Sequence, residues 1–238
     1  WKDSNLSQRD GNFIMILAVD IGNTNVTCGV YDGEKWVHIL RLPSTLNFWD
    51  QFSTLKEFDI AECAISSVVP NLIQVYIESI RNLFQIDAHI ITCQNSGVEL
   101  LVETPQDVGI DRICNVAAAK LLVGTPAIVG DIGSATNYDV VDENGAFIGG
   151  AIAPGIKVAA HNLIEKAALL RKTTFMVPEF AVGKNTKTNL QSGIMLGAID
   201  LVDGMFVRIT DEMNWGKCNM IITGGFGGLI APHLKTKH

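Results

Sequence analysis

Short apolar runs broken by Asp, Gly and Asn dominate the start of this chain. Residues 15–22, 26–31 and 35–42 read as three successive strands, so Gly11 to Pro43 forms a small meander. Residues 48–58 then read as a helix with Asp50 near its start. Residues 62–68 (ECAISSV) form a short buried strand. A loop through Pro70 leads into a helix over 71–84, where Leu72, Val75, Tyr76, Ser79, Ile80 and Leu83 share one face. Residues 89–92 form another strand, and 104–108 a turn around Pro105. An alanine-rich helix spans 111–122. Residues 127–153 form a second meander, which Pro154-Gly155 ends. Helices are expected over 158–170 and 190–209, with a loop over 171–187 between them. The later helix carries Gly193, Gly197, Ala198 and Gly204, small enough for close packing. The last strand, 219–223, ends in Gly224-Gly225 and Gly227-Gly228.

The two meanders are one pattern written twice. Residues 15–30 (MILAVDIGNTNVTCGV) and 126–141 (PAIVGDIGSATNYDVV) align without a gap, 111 residues apart, placing Asp20 on Asp131 and Gly22 on Gly133. A hairpin turn follows each copy, Tyr31-Asp32-Gly33-Glu34 and Asp142-Glu143-Asn144-Gly145. Hairpins give antiparallel pairs, and helix-linked strands give parallel ones, so the class is α/β with mixed sheets. The duplication implies two half-domains, 15–118 and 119–238, facing one cleft; the second is short at its C-terminal end. Residues 1–14 are polar and read as an extension outside the fold.

That repeat suits a phosphate chain. A glycine turn without Cβ admits a ligand to the backbone, and successive N–H groups there cradle an anion. Asn23, Thr24, Asn25, Ser134 and Thr136 add side-chain donors. Asp20 and Asp131 would repel a phosphate unless a cation lay between; Mg²⁺ is commonly held by one or two carboxylates plus substrate phosphates. An ordinary strand-end turn is the competing explanation of each copy taken alone.

The charge narrows the partners. The chain has 238 residues, is 47% hydrophobic and carries a formal charge of −7. It is long enough to bury a substantial core. No basic stripe is present, which argues against nucleic acid. No apolar run approaches the roughly 18 residues of a membrane span, and the N-terminus lacks a signal-peptide core. Five scattered cysteines (28, 63, 93, 114, 218) without a C-x-x-C pair read as free thiols in a reducing cytoplasm. The five histidines lack metal-binding spacing, and neither a nucleophile elbow nor a P-loop occurs.

Other constellations carry two readings each. In Gly109-Ile110-Asp111-Arg112, Asp111 at a helix start gains capping and dipole terms of roughly 0.5–2 kcal/mol. The same aspartate could serve as a general base for a hydroxyl nucleophile, with Arg112 holding a carboxylate or phosphate. Gly183-Lys184-Asn185-Thr186 is either a solvated loop or a source of a substrate-binding hydroxyl. Thr223-Gly224-Gly225 is either a strand-to-helix turn or a place where a flat ring meets backbone.

Taken in order, Asp20-Ile-Gly-Asn-Thr-Asn25, Gly109-Ile-Asp-Arg112, Asp131-Ile-Gly-Ser134, Gly149 to Gly155, Gly183-Lys-Asn-Thr186 with Gln191-Ser-Gly193, and Thr223-Gly-Gly225 resemble type III pantothenate kinases, of the acetate/sugar kinase–Hsp70–actin superfamily. The resemblance runs from Met15 to about Pro232. It implies a duplicated actin-like (ribonuclease H-like) fold. It implies ATP-dependent phosphorylation of pantothenate to 4'-phosphopantothenate, opening coenzyme A synthesis, by a cytoplasmic homodimer without nucleic-acid or membrane partners. It implies Mg²⁺ and a monovalent cation, K⁺ or NH₄⁺. Asp20, Ile21, Gly22, Asn23, Thr24, Asn25, Val26, Thr27 and Ser134 would bind ATP, with Asp20 reaching Mg²⁺ through the phosphates. Gly109, Ile110, Asp111, Arg112, Thr186 and Val102 would bind pantothenate, Asp111 acting as base. Asp131 would hold the monovalent cation. Three departures stand out: Ser134 and Asn137 replace threonines of the second phosphate motif, Val102 replaces a tyrosine, and Leu169-Leu170-Arg171 replaces Leu-Pro. A non-catalytic nucleotide-binding regulator on the same scaffold and a kinase for another small hydroxy acid remain alternatives.

Overall fold

A computed structural model describes residues 14–166 and 174–236; residues 1–13 of the expected extension 1–14, the end of the helix expected over 158–170 and the start of the loop expected over 171–187 lie outside them. The chain divides into two compact units. One comprises the described residues up to Gly97 with Gln106–Cys114, the other Val98–Pro105 with Asn115 onward.

The first unit is a five-stranded mixed sheet. Its strands are β1 (Met15–Ile21), β2 (Asn25–Tyr31), β3 (Trp36–Pro43), β4 (Ile60–Ser67) and β5 (Ala88–Ile90), ordered β3-β2-β1-β4-β5. The meander β1-β2-β3 is antiparallel, whereas β4 and β5 add in parallel. Leu17, Val19 and Ile21 alternate into the core, as period-two geometry requires. Helix α2 (Pro70–Phe84), opened by Pro70, buries Leu72, Tyr76, Ser79 and Ile80. Tyr76 stacks on Phe48 with ring centroids 4.3 Å apart and meets Phe52 edge-on.

The helix expected over 48–58 is broken. One α turn, α1 (Trp49–Phe52), passes into a 3₁₀ segment, Ser53–Glu57. The Ser53 and Thr54 hydroxyls donate to the carbonyls of Asp50 (3.0 Å) and Gln51 (2.6 Å), competing with the regular ladder.

The second unit repeats the meander with β6 (Ala127–Ile132), β7 (Ala135–Val141) and β8 (Phe147–Pro154), and adds β9 (Asn219–Thr223) in parallel, in the order β8-β7-β6-β9. The stretch 98–101 runs alongside β8: Phe147 N–H donates to Glu99 O (2.8 Å), and Leu101 N–H donates to Phe147 O (2.9 Å). Helix α3 (Ile110–Leu122) starts in the first unit and ends in the second. Helix α4 spans Ile156–Lys166.

The repeat slips by one residue, which corrects the gapless alignment. In the first copy Ile21 pairs with Val26, leaving a four-residue turn, Gly22 to Asn25. In the second Ile132 pairs with Thr136, leaving three residues, Gly133 to Ala135. Before the turn the copies are 111 residues apart; after it they are 110 apart, Thr27 matching Asn137. The later spacing keeps inward positions inward: Val26, Cys28 and Val30 match Thr136, Tyr138 and Val140, all buried. Both second strands also bulge at the matching place, between Val30 and Tyr31 and between Val140 and Val141.

One continuous helical run, Thr186–Glu212, is longer than the helix expected over 190–209. It comprises α5 (Thr186–Gln191), a π turn (Ser192–Leu196) and α6 (Gly197–Glu212). By length and composition it could cross a membrane. Its buried stripe of Met195, Ile199, Val202, Phe206 and Ile209 instead packs into the core of the second unit. Asp203, also buried, accepts from the N–H groups of Lys235 and Thr236 and from the Thr236 hydroxyl, tying the segment 231–236 to α6.

Candidate functional site

The first glycine turn lies at the end of β1. Asp20 is exposed there, beside Ser66 across the parallel β1–β4 ladder. The Ser66 hydroxyl donates to Asp20 Oδ1 at 3.2 Å. Gly22 N–H donates to Asn25 O at 3.0 Å, and a Cβ on Gly22 would come within 3.1 Å of that carbonyl. Glycine here serves the turn's own closure as well as any ligand. Ser44, just past β3, locks the loop from outside: its hydroxyl donates to Gly22 O (2.5 Å) and its N–H to Thr24 O (3.2 Å). Asn23, Thr24 and Asn25 are exposed at the tip, Thr27 is half-buried, and Ile21 and Val26 are core residues.

Asp111 belongs to the same unit. It is the second residue of α3 and half-buried, with Oδ1 accepting from Arg112 N–H at 2.8 Å. Its carboxylate folds back over Gly109, where a Cβ would stand 2.5 Å from Oδ1. Gly109 therefore makes room for the aspartate, and Ile110 opens the helix. One turn further, Cys114 lies among Ser66, Asp20 and Asp111. Burial pushes its thiol above the ordinary range; a hydrogen bond with Ser66 opposes that rise, and the two carboxylates add to it. Asp20 and Asp111, ninety-one residues apart in sequence but neighbours of one thiol, are thus gathered at one end of the first sheet.

The second glycine turn is more enclosed. Asp131 is half-buried, and Asn115 Nδ2 donates to its Oδ2 at 3.3 Å. Gly224, with φ of +87°, lies against Asp131 Oδ1 and the Ile132 backbone. Gly155 lies against the carbonyls of Gly133 and Ser134. Neither position has space for a side chain. These glycines wall the turn. Ser134 itself is exposed.

The remaining expected contacts lie in the second unit. Val102 is half-buried in the 98–105 stretch. Thr186 is exposed at the first position of α5, which Asn185 caps by accepting from Thr188 N–H at 3.0 Å in a capping box. That cap moves the helix start ahead of the expected 190. Thr186 also lines a cavity of about 620 Å³ with Thr136, Asn189 and otherwise mostly apolar residues of β6, α4, α5 and α6.

Sequence reasoning missed Ser44 and Ser66. The SS of ECAISSV is visible, but only the β1–β4 register points one of the pair at Asp20. All five cysteines are free. Burial raises Cys28 and Cys63 to about 12 each, leaving both as inert core thiols.

The model of the type III pantothenate kinase family matches residues 16–208. A type III pantothenate kinase of Thermomicrobium roseum is 40% identical over 230 residues, covering 92% of this chain and 88% of the relative. One from Agathobacter rectalis is 37% identical, covering 91% and 88%. Among solved structures, a Baf-family protein of Campylobacter jejuni is 23% identical with a TM-score of 0.54, covering 92% of this chain and 88% of the other. MreB5 of Spiroplasma citri, bound to ADP, is 11% identical with a TM-score of 0.51, covering 91% and 86%; these two establish an actin-like α/β fold only. The family match reaches across both meanders and the sequence relatives span nearly the whole chain, so this chain belongs to the type III pantothenate kinase family and phosphorylates pantothenate with ATP in coenzyme A biosynthesis.

Proposed function

We propose that Asp111 is the general base of this reaction and that the Asp20 turn presents the nucleotide phosphates to it. What supports the reading is the gathering of Asp20 and Asp111 around Cys114 at one end of the first sheet. The pantothenate hydroxyl oxygen attacks the γ-phosphorus, the bond to the ADP oxygen breaks, and the hydroxyl proton passes to the Asp111 carboxylate. Gly109 lets that carboxylate lie back along the chain, and Arg112 orients the substrate carboxylate. Gly109 and Ile110 complete that side of the pantothenate pocket; Val102 and Thr186 supply further contacts.

Residues 20–27 hold the phosphates through turn N–H groups and the Asn23, Thr24 and Asn25 side chains, and Ser134 adds a hydroxyl. Asp20 fits magnesium shared with phosphates, because it is an exposed hard-oxygen donor at a strand end. Among the described residues, no three His, Cys, Asp or Glu side chains converge to hold a metal by themselves. Magnesium, when bound, neutralises charge on the transferring phosphoryl group. Asp131 fits a monovalent cation such as K⁺ or NH₄⁺: it is a half-buried hard-oxygen donor whose carboxylate is oriented by the Asn115 amide.

We place the enzyme in the cytoplasm as a homodimer. Leu201 and Val207 of α6 and Ile152 of β8 are exposed, and among the described residues no atom crowds the Cβ positions of Gly193, Gly197 or Gly204, giving a second copy room for close approach.

A coupled assay with ATP, pantothenate and Mg²⁺, with and without K⁺, tests the base. Asp111→Asn should lower kcat by roughly a hundredfold or more while both substrates still bind. Turnover near wild type in that variant would remove Asp111 from the role.

A further inference from the structure

We propose that Ser66 is a positioning residue that sets the orientation of the Asp20 carboxylate toward the metal-bound phosphates. The inference rests on the reading of Asp20 given above. Asp20 is exposed at the end of β1, where an aspartate on its own would sample several rotamers. Ser66 is buried on β4, a central strand, and the parallel register sets the two residues side by side. Its hydroxyl reaches Oδ1 from the core side at 3.2 Å.

Three further features fit this role. Ser66 has one proton to give, and the bond to Asp20 uses it. The adjacent Ser67 takes a different job: its Oγ accepts from Val69 N–H at 3.0 Å and shapes the entry to α2. The donor is also neutral. A hydroxyl orients the carboxylate without itself adding charge beside it. Asp131 in the second unit is likewise met by a neutral donor, Asn115, from a different element.

The experiment is calorimetric titration with a non-hydrolysable ATP analogue, with and without Mg²⁺. It compares wild type, Ser66→Ala, Ser66→Thr and Asp20→Asn, each with its thermal midpoint. Ser66→Ala should cut the magnesium-dependent gain in affinity by about tenfold, the low end for one hydrogen bond to a charged group. Metal-free affinity and midpoint should stay near wild type, and Ser66→Thr, which keeps the hydroxyl, should restore the gain. A full magnesium gain in Ser66→Ala while Asp20→Asn has lost it would overturn the positioning role alone. A full gain in Asp20→Asn would overturn the metal reading of Asp20 and the inference with it. A lowered midpoint in Ser66→Ala with the magnesium gain unchanged would assign Ser66 to structure only.

Discussion

The two glycine turns share a strand–turn–strand plan and differ in everything around it. The first is open: Asp20 is exposed, the tip residues Asn23, Thr24 and Asn25 are exposed, and Ser44 latches the loop from outside. The second is one residue shorter, its aspartate is half-buried, and two glycines from other parts of the chain press against it. A duplicated pattern has thus diverged by packing while its aspartates kept their places. The open copy exposes polar side chains at its tip, where a mobile phosphate chain can reach them. The enclosed copy resembles a fixed socket, better suited to a small ion that stays.

If that division holds, the two aspartates should fail differently. Asp20→Asn should lower kcat on the order of a thousandfold, as expected when preorganised charge at a transferring phosphoryl group is lost. Asp131→Asn should cost about tenfold and abolish the response to added K⁺. Steady-state assays across a K⁺ titration measure both; equal losses with the K⁺ response retained in Asp131→Asn would erase the distinction.

A smaller effect sharpens the packing side. Gly224→Ala places a Cβ at positive φ against Asp131 and the Ile132 backbone, and should cost about 3 kcal/mol of stability. Its counterpart at the end of β4, Ser67, has no such constraint, and Ser67→Ala should cost about 1 kcal/mol, the value of its bond to Val69. Urea unfolding of both variants gives the comparison, and similar costs would mean the second turn is no more tightly walled than the first.

Effects of similar or smaller size concern the hairpin turns that follow. Asp142 Oδ1 accepts from the N–H groups of Asn144 (2.9 Å) and Ala146 (2.8 Å) in a largely buried turn. Asp142→Ala should destabilise by about 1–2 kcal/mol. Asp32 makes the matching bonds in the open, where the Lys35 and Glu34 N–H groups hold its carboxyl below the ordinary 3.8. A depressed folded-state value means that Asp32 contributes stability above the unfolded value and loses it as pH falls through the folded one. Thermal melts between pH 5 and roughly pH 2 should show Asp32→Ala converging on wild type at the acid end.

Much of this was readable from apolar period. Helix 71–84, strand 219–223 and both meanders follow from patterns of 3.6 and 2, and the paired Asp-Ile-Gly turns were visible by eye. What was hidden depends on lateral register or on chain distant in sequence. The slip between copies shows only in which residues pair, since a one-residue change in a turn leaves each strand's own alternation intact. Ser66 meets Asp20 through a ladder joining strands 46 residues apart. The 98–101 stretch beside β8 is too short to carry a period. Ser53 and Thr54 broke an expected helix through hydroxyl bonds that the apolar pattern does not register. At the site, the motif residues were legible, while the crowding that makes Gly109, Gly155 and Gly224 glycines was not.

The π turn at Ser192–Leu196 gives the long helix a phase error. Leu190 and Met195 both face the core, five residues apart, where an unbroken α-helix would bring Ile194 inward instead. The extra residue acts like a skipped tooth on a gear. Ahead of it the helix carries Thr186 and the Asn185 cap at one angular setting; behind it the Met195–Ile209 stripe runs at another, offset by about 100°. A single rod can therefore present its cap to one set of neighbours and its stripe to the sheet, with neither orientation compromised for the other.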